Sequence, residues 1–234
     1  MTSFRSITVT WGENDTPIAE QFGDPYFSRE DGREETRHVF LEGNGLPDRF
    51  AVTAEFTIAE LGFGTGLNFF ETAAAWRRAR RGISEPAKLT YVAFERFPLA
   101  ASDLERAISR WPELGDDLKA LLEQWPPAFG FQKISLGEVS LELAVGDANI
   151  MVPKWPSKAD AWYLDGFSPA KNPDMWGEDL LKAVFAHTNA DGTFATFTVA
   201  GWVRRNLQQA GFSVMKTPGY GRKRECCKGV KTNQ

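Results

Sequence analysis

The chain has few of the residues that build disulfides or metal centres. Its only cysteines, Cys226 and Cys227, are adjacent, so they cannot join distant segments, and their spacing suits no zinc site. Its only histidines are His38 and His187. We therefore expect no dedicated metal site, and we expect a reducing, cytoplasmic compartment.

Long apolar runs are also missing. No stretch of about 18 apolar residues occurs, which argues against a membrane-spanning helix. The first residues, MTSFRSITVTWGEND, contain no basic segment followed by an apolar run, so we do not expect a secretory signal. With 234 residues, 42% of them hydrophobic and 25% charged, the composition is typical of a globular domain with a sizeable core.

Charge is unevenly distributed along the chain. The net charge is −4, yet the segment from Trp202 to the end has a single acid, Glu225, among eight cationic residues. These are Arg204, Arg205, Lys216, Arg222, Lys223, Arg224, Lys228 and Lys231. A basic segment on an acidic body is either a solvated tail or a surface for an anionic partner, and charge alone favours neither.

Strand and helix patterns alternate over residues 51–234. Strands are predicted at FTIAE, KLTYVAFE, VSLELAVGD (ending at Asp147), DAWYLDGF (ending at Asp165) and DGTFATFTV. Five helices are predicted, at LNFFETAAAWRRARR, PLAASDLERAISRW (with Pro98 in its first turn), ELGDDLKALLEQW, GEDLLKAVFAHTN and AGWVRRNLQQAGF. The last strands, FSVMKTP and RECCKG, are joined by a short loop and predicted to pair antiparallel at one edge. This order predicts an α/β domain: a mostly parallel sheet with helices on both faces.

Residues 1–50 are predicted to form an N-terminal β-rich arm packed on this domain. SITVTW alternates as a strand does, GENDTP is rich in turn residues, and PIAEQF is predicted to return as a hairpin. The following stretch, PYFSREDGREETRHVFLEGN, has no clean period. We expect it to lie over the main domain without a core of its own.

A glycine-rich turn follows the first strand of the α/β domain. Ligands of such sheets bind at the carboxyl ends of the strands, near the point where strand order reverses. There the sequence has an acid followed by alternating glycines: Glu60, then Gly62, Phe63, Gly64, Thr65 and Gly66. Leu67 stands where the dinucleotide fingerprint needs its third glycine, so the turn departs from that pattern and resembles the first motif of Rossmann-type methyltransferases. A plain tight strand-to-helix turn is the alternative.

The ligand that this resemblance implies is S-adenosylmethionine, whose α-amino and sulfonium groups are both positive. A carboxylate such as Glu60 near the amino-acid end is electrostatically favourable. Glu95 ends the second strand, where a carboxylate can accept both ribose hydroxyls, and Asp147 ends the third, where it can accept from an adenine amino group. Each acid alone is more often a solvated strand end, but three acids and a glycine turn at one edge favour a cofactor site.

The loop after the fourth strand, WYLDGFSPAKNPDMW, is the most unusual segment of the chain. Its two prolines stiffen it, and a stiff loop either holds reacting groups in fixed geometry or is a rigid packed connection. Methyl transfer is an in-line displacement in which alignment alone contributes roughly 7–11 kcal/mol. An amine nucleophile must also lose its proton, and Asp165 is our candidate to orient it and accept that proton. Because a carboxylate also stabilises the ammonium form, desolvation or earlier proton loss must contribute.

Several segments closely resemble the methyltransferase domain of the MnmC family, the tRNA 5-methylaminomethyl-2-thiouridine biosynthesis proteins. They are YFSREDGREETRHVFLEGN, ELGFGTGLNFF, WYLDGFSPAKNPDMW and TFATFTVAGWVRRNLQQAGF with GYGRKREC. The likeness runs from about Thr8 to about Gly229; the LDGFSPAKNPDMW and GYGRKREC motifs are specific, whereas the glycine turn is shared with many methyltransferases.

The resemblance implies a reaction and a set of roles. The substrate would be 5-aminomethyl-2-thiouridine at the tRNA wobble position, methylated on its exocyclic amine to 5-methylaminomethyl-2-thiouridine with release of S-adenosylhomocysteine. Asp165 carries over to the amine end, and the cofactor site takes Glu60, Gly62, Gly64, Gly66, Glu95 and Asp147. Many family members continue into an FAD-dependent oxidase domain, so the chain is a stand-alone form, an isolated domain or a truncated one. FAD is not expected in this chain.

A tRNA anticodon loop as partner would explain the positive charge of the segment from Trp202 to the end. Phosphates need cations, and a splayed base stacks on aromatic rings. The candidate cations are Lys171, Arg204, Arg205, Arg222, Lys223 and Arg224, and the candidate stacking residues are Tyr26, Phe167 and Trp176, although each ring is more often core. Two alternatives stay open at this point: a methyltransferase of a small-molecule amine, and a non-catalytic tRNA-binding module.

Overall fold

The structure is a computed structural model that describes residues 7–28 and 30–232. The first residue of the predicted strand SITVTW, Ser6, and Arg29 in the arm lie outside the described residues. Within the described part, no helix is long and apolar enough to cross a membrane.

A central sheet of eight strands organises the molecule, with the order β10-β11-β9-β8-β4-β5-β7-β6. Its strands are β4 (Glu55–Leu61), β5 (Lys88–Glu95), β6 (Gly130–Leu136), β7 (Val139–Val145), β8 (Ala159–Leu164), β9 (Thr188–Thr196), β10 (Ser213–Pro218) and β11 (Glu225–Val230). The five inner strands from β9 to β7 pair parallel, and both edges are antiparallel. β4 and β5 are nearly continuous apolar runs because both faces of an inner parallel strand are covered.

Helices cover the two faces of this sheet. They are α1 (Gly32–Glu35), α2 (Asp48–Ala51), α3 (Leu67–Ala79), α4 (Ala101–Ile108), α5 (Gly115–Leu122), α6 (Ala148–Lys154), α7 (Glu178–Ala186) and α8 (Gly201–Ala210). One large apolar cluster joins α3 and α5 to one sheet face, and a second joins α6, α7 and α8 to the other. The predicted α/β architecture with an antiparallel terminal hairpin is therefore confirmed.

The strand order reverses beside β4. The chain passes from β4 to its neighbour β5 and on to β7, then returns to place β8 against the opposite side of β4. The connections that leave β4 and β8 therefore lead to helices on opposite faces of the sheet, and a crevice opens at the carboxyl ends of these strands. This is the edge at which the sequence places its acids and glycine turn.

The N-terminal segment combines a small sheet with helical turns. Strands β1 (Val9–Trp11), β2 (Pro17–Ala19) and β3 (Asp24–Pro25) form an antiparallel sheet, so the predicted hairpin is present. Beyond it, where we predicted no regular structure, α1 continues into a π-helical turn at Thr36–Leu41. The division into an arm of residues 1–50 and a domain of residues 51–234 stays a prediction.

An ion-pair cluster attaches this segment to the core. Glu71 on α3 is fully buried and accepts from Arg33 Nε at 2.7 Å, Arg37 Nε at 2.7 Å and Arg78 Nη2 at 3.1 Å. Burial alone would raise the pKa of Glu71, but the hydrogen bonds from Arg37, Arg33 and Arg78 lower it overall. Arg33 and Arg37 lie in the helical turns of the N-terminal segment. Their ion pairs with Glu71 therefore hold these turns on the core, although the turns have no amphipathic period of their own.

The structure corrects several predicted boundaries. α4 begins at Ala101 and not at Pro98, because Ala100 has an extended backbone and caps the helix. β7 ends at Val145, so Asp147 caps α6 from beyond the strand. β9 starts at Thr188, before the predicted turn at Asp191. Strand β6 and helix α6 were not predicted.

Candidate functional site

A cavity of about 720 Å³ opens at the crevice where the strand order reverses. Its volume is in the range of sites that hold a ligand of the size of a drug or cofactor. Its walls include these predicted site residues: Tyr26, Glu60, Gly62, Phe63, Gly64, Thr65, Glu95, Asp147, Asp165, Phe167, Arg222 and Lys223. Gly66, Lys171, Trp176, Arg204, Arg205 and Arg224 do not line it.

The glycine turn passes very close to the loop after β8. Gly62 has φ +88°, and a Cβ at this position would lie 2.7 Å from the backbone oxygen of Asp165. Any larger residue would be strained there and would push the two loops apart. Gly66 has φ +75° and caps α3, and a Cβ there would meet the Phe63 ring at 2.7 Å. Its role is therefore to shape the turn behind the cavity wall.

Glu95 holds the glycine turn from the end of the neighbouring strand. Its Oε2 accepts from the backbone N–H groups of Phe63 at 2.8 Å and Gly64 at 3.1 Å, and its Oε1 accepts from Phe97 N at 2.6 Å. Three backbone donors fix the carboxylate at the cavity wall. Each oxygen has two acceptor positions, so Oε1 retains capacity for a ligand hydroxyl.

Asp147 lies in the wall of the same cavity, where it caps α6. Its Oδ1 accepts from Asn149 N at 2.9 Å, and its Oδ2 pairs with Arg96 Nη1 at 3.1 Å. The carboxylate is only partly exposed, since 30% of its side-chain surface is accessible. It is therefore held in place and still reachable from the cavity.

Glu60 is buried, and one of its oxygens has no partner. Oε1 accepts from Asn68 Nδ2 at 2.7 Å, whereas Oε2 has no hydrogen-bond partner within the described residues. Burial raises the pKa of Glu60 well above its ordinary value, and the negative charge of Asp165 raises it further. The Asn68 amide and the neighbouring Tyr91 hydroxyl oppose this rise in the pKa of Glu60, and a cationic ligand group in the cavity would likewise favour its ionised form.

Asp165 follows β8 directly and shares a hydrogen-bond donor with Glu60. Its Oδ2 accepts from the same Asn68 Nδ2, also at 2.7 Å. Burial raises the pKa of Asp165 to about 7, the charge of Glu35 adds to the rise, and Asn68 and Lys223 oppose it. A carboxyl that titrates near neutral pH in a cavity is suited to accepting a proton from a ligand.

Aromatic rings form the wall on the arm side. Phe167 stacks on Phe22 with ring centroids 4.5 Å apart and meets Tyr26 edge-on at 5.3 Å. Trp176 is 1% exposed, and its Nε1 donates to Phe167 O at 3.0 Å. Of the three candidate stacking rings, Tyr26 and Phe167 therefore face the cavity, while Trp176 supports the loop that carries Phe167.

Three of the candidate cations form ion pairs with acids of the arm. Lys171 Nζ lies 2.9 Å from Asp24 Oδ1, Arg222 Nε lies 3.5 Å from Glu30 Oε1, and Lys223 Nζ lies 2.8 Å from Glu35 Oε1. These acids belong to residues 24–35, so one arm segment faces two basic loops of the core. Arg224 and Arg205 are exposed, and Arg204 is half-buried.

Sequence reasoning missed Asn68 and the arm acids. Asn68 stands inside the quoted ELGFGTGLNFF segment, but an amide in the first turn of a helix indicates no chemistry by itself. Asp24, Glu30 and Glu35 lie in or beside the stretch without a clean period. Their negative charge was the one feature that could have predicted ion pairs with the basic residues of the core. Within the described residues, no group of three histidine, cysteine or acidic side chains is arranged to hold a metal ion.

The arrangement fits a ligand with a positive amino-acid end, a ribose and an adenine. The Glu60 carboxyl in the cavity wall suits an ammonium group, Glu95 has a free acceptor position for a hydroxyl, and Asp147 is accessible beside it. Asp165 lies on the far side of Asn68 from Glu60 and faces the same cavity.

Comparisons with known proteins point the same way. A family model described as S-adenosyl-L-methionine-dependent methyltransferase matches residues 112–232. The chain is 46% identical, over 98% of its length, to the tRNA 5-methylaminomethyl-2-thiouridine biosynthesis bifunctional protein MnmC of Pseudomonas aeruginosa. It spans only 36% of that protein's length.

Solved structures confirm the fold class. MNMC2 from Aquifex aeolicus superposes with a TM-score of 0.76 at 23% identity, covering 97% of this chain and 72% of that one. A precorrin-6y C5,15-methyltransferase from Geobacter metallireducens superposes with a TM-score of 0.52 at 11% identity, covering 94% and 95%. The predicted Rossmann-like methyltransferase fold is therefore confirmed.

Proposed function

Because the chain belongs to the S-adenosyl-L-methionine-dependent methyltransferases and is similar over nearly its whole length to part of MnmC, we propose that it methylates the exocyclic amine of a modified wobble uridine in tRNA. The substrate would be 5-aminomethyl-2-thiouridine, and the product 5-methylaminomethyl-2-thiouridine. The single observation that carries the proposal is that Asp165 lies in one cavity with Glu60, Glu95, Asp147 and the glycine turn.

Glu60, Glu95 and Asp147 hold the methyl donor in this proposal. S-adenosylmethionine supplies a methyl group on a positively charged sulfur. Glu60 receives the α-amino group, Glu95 receives a ribose hydroxyl at the free position of Oε1, and Asp147 receives the adenine amino group. The glycine turn leaves room beside Glu60 because no side chain projects from Gly62 or Gly64.

Asp165 receives the amine. Its Oδ2 is held by Asn68, and within the described residues its Oδ1 accepts no hydrogen bond, which leaves Oδ1 for the substrate. With its pKa raised to about 7, the carboxylate can take a proton from the amine at neutral pH, and it holds the amine lone pair toward the methyl group. Burial in the cavity further disfavours the charged ammonium form.

The tRNA meets the same mouth of the cavity. Phe167 and Tyr26 line the cavity, where a splayed base can stack, and Arg222 and Lys223 in its wall, with the exposed Arg224 next to them in sequence, offer charge to the phosphates of an anticodon loop. The ion pairs of Arg222 and Lys223 with Glu30 and Glu35 are exposed or partly exposed, so a phosphate can compete for these cations.

Those same ion pairs favour one alternative. If Glu30 and Glu35 keep their ion pairs, they neutralise Arg222 and Lys223 at the mouth of the cavity. A mouth with little net charge would not favour a nucleic acid over a small-molecule amine. The two substrates differ in salt dependence: binding of tRNA weakens steeply as salt rises, and binding of a small amine does not. A non-catalytic tRNA-binding module would show no binding of S-adenosylmethionine in calorimetry.

The deciding experiment is methyl transfer followed by nucleoside mass analysis. The protein is incubated with isotopically labelled S-adenosylmethionine and tRNA that carries 5-aminomethyl-2-thiouridine, and the tRNA is digested. We expect the label in 5-methylaminomethyl-2-thiouridine with the wild-type chain and none with Asp165→Asn, which retains the shape of the site. Label that appears only in a small amine, or in neither substrate, would overturn the proposal.

The chain's length bears on its partners. The curated relatives are bifunctional and almost three times as long, so we propose that an oxidase with FAD, fused or separate, acts on the same nucleoside. A tRNA substrate also implies the cytoplasmic compartment expected from the sequence.

A further inference from the structure

Asn68 joins the two halves of the cavity. It is the second residue of α3, directly behind the glycine turn, and it is 9% exposed. Its Nδ2 donates one hydrogen to Glu60 Oε1 and the other to Asp165 Oδ2, both at 2.7 Å. The two carboxyl oxygens, which belong to different strands, therefore lie within about 5 Å of each other.

The two carboxyl oxygens set the orientation of this amide, and Thr36 of the arm lies behind it. Asn68 Oδ1 lies 2.7 Å from Thr36 Oγ1, whose hydroxyl also lies 3.0 Å from Gly32 O, and Thr36 is buried in the π-helical turn. If the amide were reversed, its oxygen would face two carboxyl oxygens and repel them. Both donors of the amide are thus directed at the acids.

We propose that Asn68 is a positioning residue for methyl transfer, which holds the Asp165 carboxylate in its productive orientation and ionised state by bridging it to Glu60. This proposal rests on the role given to Asp165 above. Asn68 acts through Asp165 and Glu60, and no contact of Asn68 with the reacting atoms is required.

The first part of the argument is orientation. A carboxylate on one side-chain torsion can rotate, and rotation of Asp165 would turn Oδ1 away from the amine. The bond to Asn68 opposes that rotation, and Asn68 is itself held by Glu60 and by its contact with Thr36. Because an in-line displacement depends on alignment, losing this restraint should lower kcat more than it changes the binding of either ligand.

The second part is charge. Asp165 is faced by Glu60 from β4, Glu35 from the arm, Lys223 from the β10–β11 loop and the Tyr91 hydroxyl from β5. Burial and the acids favour the protonated carboxyl, whereas Asn68 and Lys223 favour the ionised one. Removing the Asn68 donor should therefore raise the pKa of Asp165 and move the acid limb of the rate profile to higher pH.

The test uses two variants of similar shape and one control. Asn68→Leu keeps the volume and removes both donors, and Asn68→Asp keeps the shape but adds a third acid. The control is Asn189→Asp, because Asn189 Nδ2 donates to Asp160 Oδ1 at 2.7 Å outside the cavity. Each variant is measured for S-adenosylhomocysteine affinity, for kcat and KM with tRNA against pH, and for titration of the Asp165 carboxyl by carbon-13 NMR.

We expect Asn68→Leu to lower kcat by up to about 100-fold, because a small misplacement of a reacting group can cost that much, with S-adenosylhomocysteine affinity changed less than tenfold. Titration of Asp165 should move up by about one pH unit, and the acid limb should move with it. Asn68→Asp should shift both further, and Asn189→Asp should shift neither.

The outcomes separate this proposal from the one it rests on. A folded Asn68→Leu or Asn68→Asp variant whose Asp165 titrates as in the wild type would overturn the positioning role, whatever its activity. If the wild-type chain methylates no tRNA, the proposed function fails, while the NMR titration still decides whether Asn68 controls Asp165. Should Asn68→Leu not fold, Asn68→Asp provides the same readouts.

Discussion

Replacing Asp165 by asparagine should inactivate the protein and stabilise it at alkaline pH. The pKa of Asp165 rises from an ordinary 3.8 to about 7, chiefly because the carboxyl is buried and secondly because Glu35 is close. The folded chain therefore binds this proton more tightly than the unfolded chain does. The contribution of Asp165 to the free energy of unfolding is therefore fully present below the pKa that the carboxyl has in the unfolded chain. It is lost as the pH rises through the higher pKa that the carboxyl has in the folded chain.

The size of the effect follows from the same shift. Each pKa unit corresponds to about 1.4 kcal/mol, so the ionised carboxylate costs the wild-type fold about 4 kcal/mol well above pH 7. Between pH 5.5 and pH 8.5, linkage gives a change of about 2 kcal/mol. Asparagine does not titrate, so the stability of Asp165→Asn relative to the wild type should increase by about 2 kcal/mol over that interval.

Urea unfolding at the two pH values measures this change directly, and the corresponding rise in relative Tm is about 4–8 °C for a chain of this size. Asp160→Asn is the matched control, in the strand β8 that Asp165 follows. Its carboxylate accepts from Thr57 N at 2.8 Å and from Asn189 Nδ2 at 2.7 Å, so its removal should destabilise the fold. A stability difference for Asp165→Asn that is the same at both pH values would refute the buried, proton-binding Asp165 described here.

Three further predictions concern the cofactor end, the anchor of the arm and the basic loop. Glu60→Gln should weaken S-adenosylhomocysteine binding in calorimetry by about tenfold, because the ammonium loses its anionic partner, whereas Glu55→Gln at the exposed start of the same strand should not. Glu71→Ala should cost about 3 kcal/mol in urea unfolding, since the buried Arg33 and the half-buried Arg37 lose a fully buried partner; a loss under 1 kcal/mol would contradict the anchoring role. Arg222→Ala combined with Arg224→Ala should weaken tRNA binding and reduce its salt slope by about two, with cofactor affinity unchanged; an equal loss of both affinities would indicate a folding defect.

The inner strands were predictable because a strand that is buried on both faces is a nearly continuous apolar run in the sequence. KLTYVAFE is bounded in the sequence as β5 is in the structure, from Lys88 to Glu95. Strand β6 gave no such run: it lies at the sheet edge, and Phe131 on its outer face is 46% exposed. Helix α6 is only seven residues long and contains Pro153, so its start depends on the Asp147 cap more than on any period.

The acids of the site were predictable because the ends of parallel strands share one edge. Glu95 and Asp165 could be placed there from the strand pattern alone. The bridge through Asn68 could not, because it needs β4, β8 and the arm to meet in space. The same is true of Lys223, whose partner Glu35 is 188 residues away in the chain.

A crystal structure with S-adenosylhomocysteine would test the central claim, that one cavity holds both the methyl donor and the amine end, most directly. We predict the amino group at Glu60, the ribose at Glu95, the adenine beside Asp147, and the sulfur on the side of the cavity where Asp165 lies. Ligand density in a different hollow, or in this cavity with the adenine against Glu60, would contradict the account.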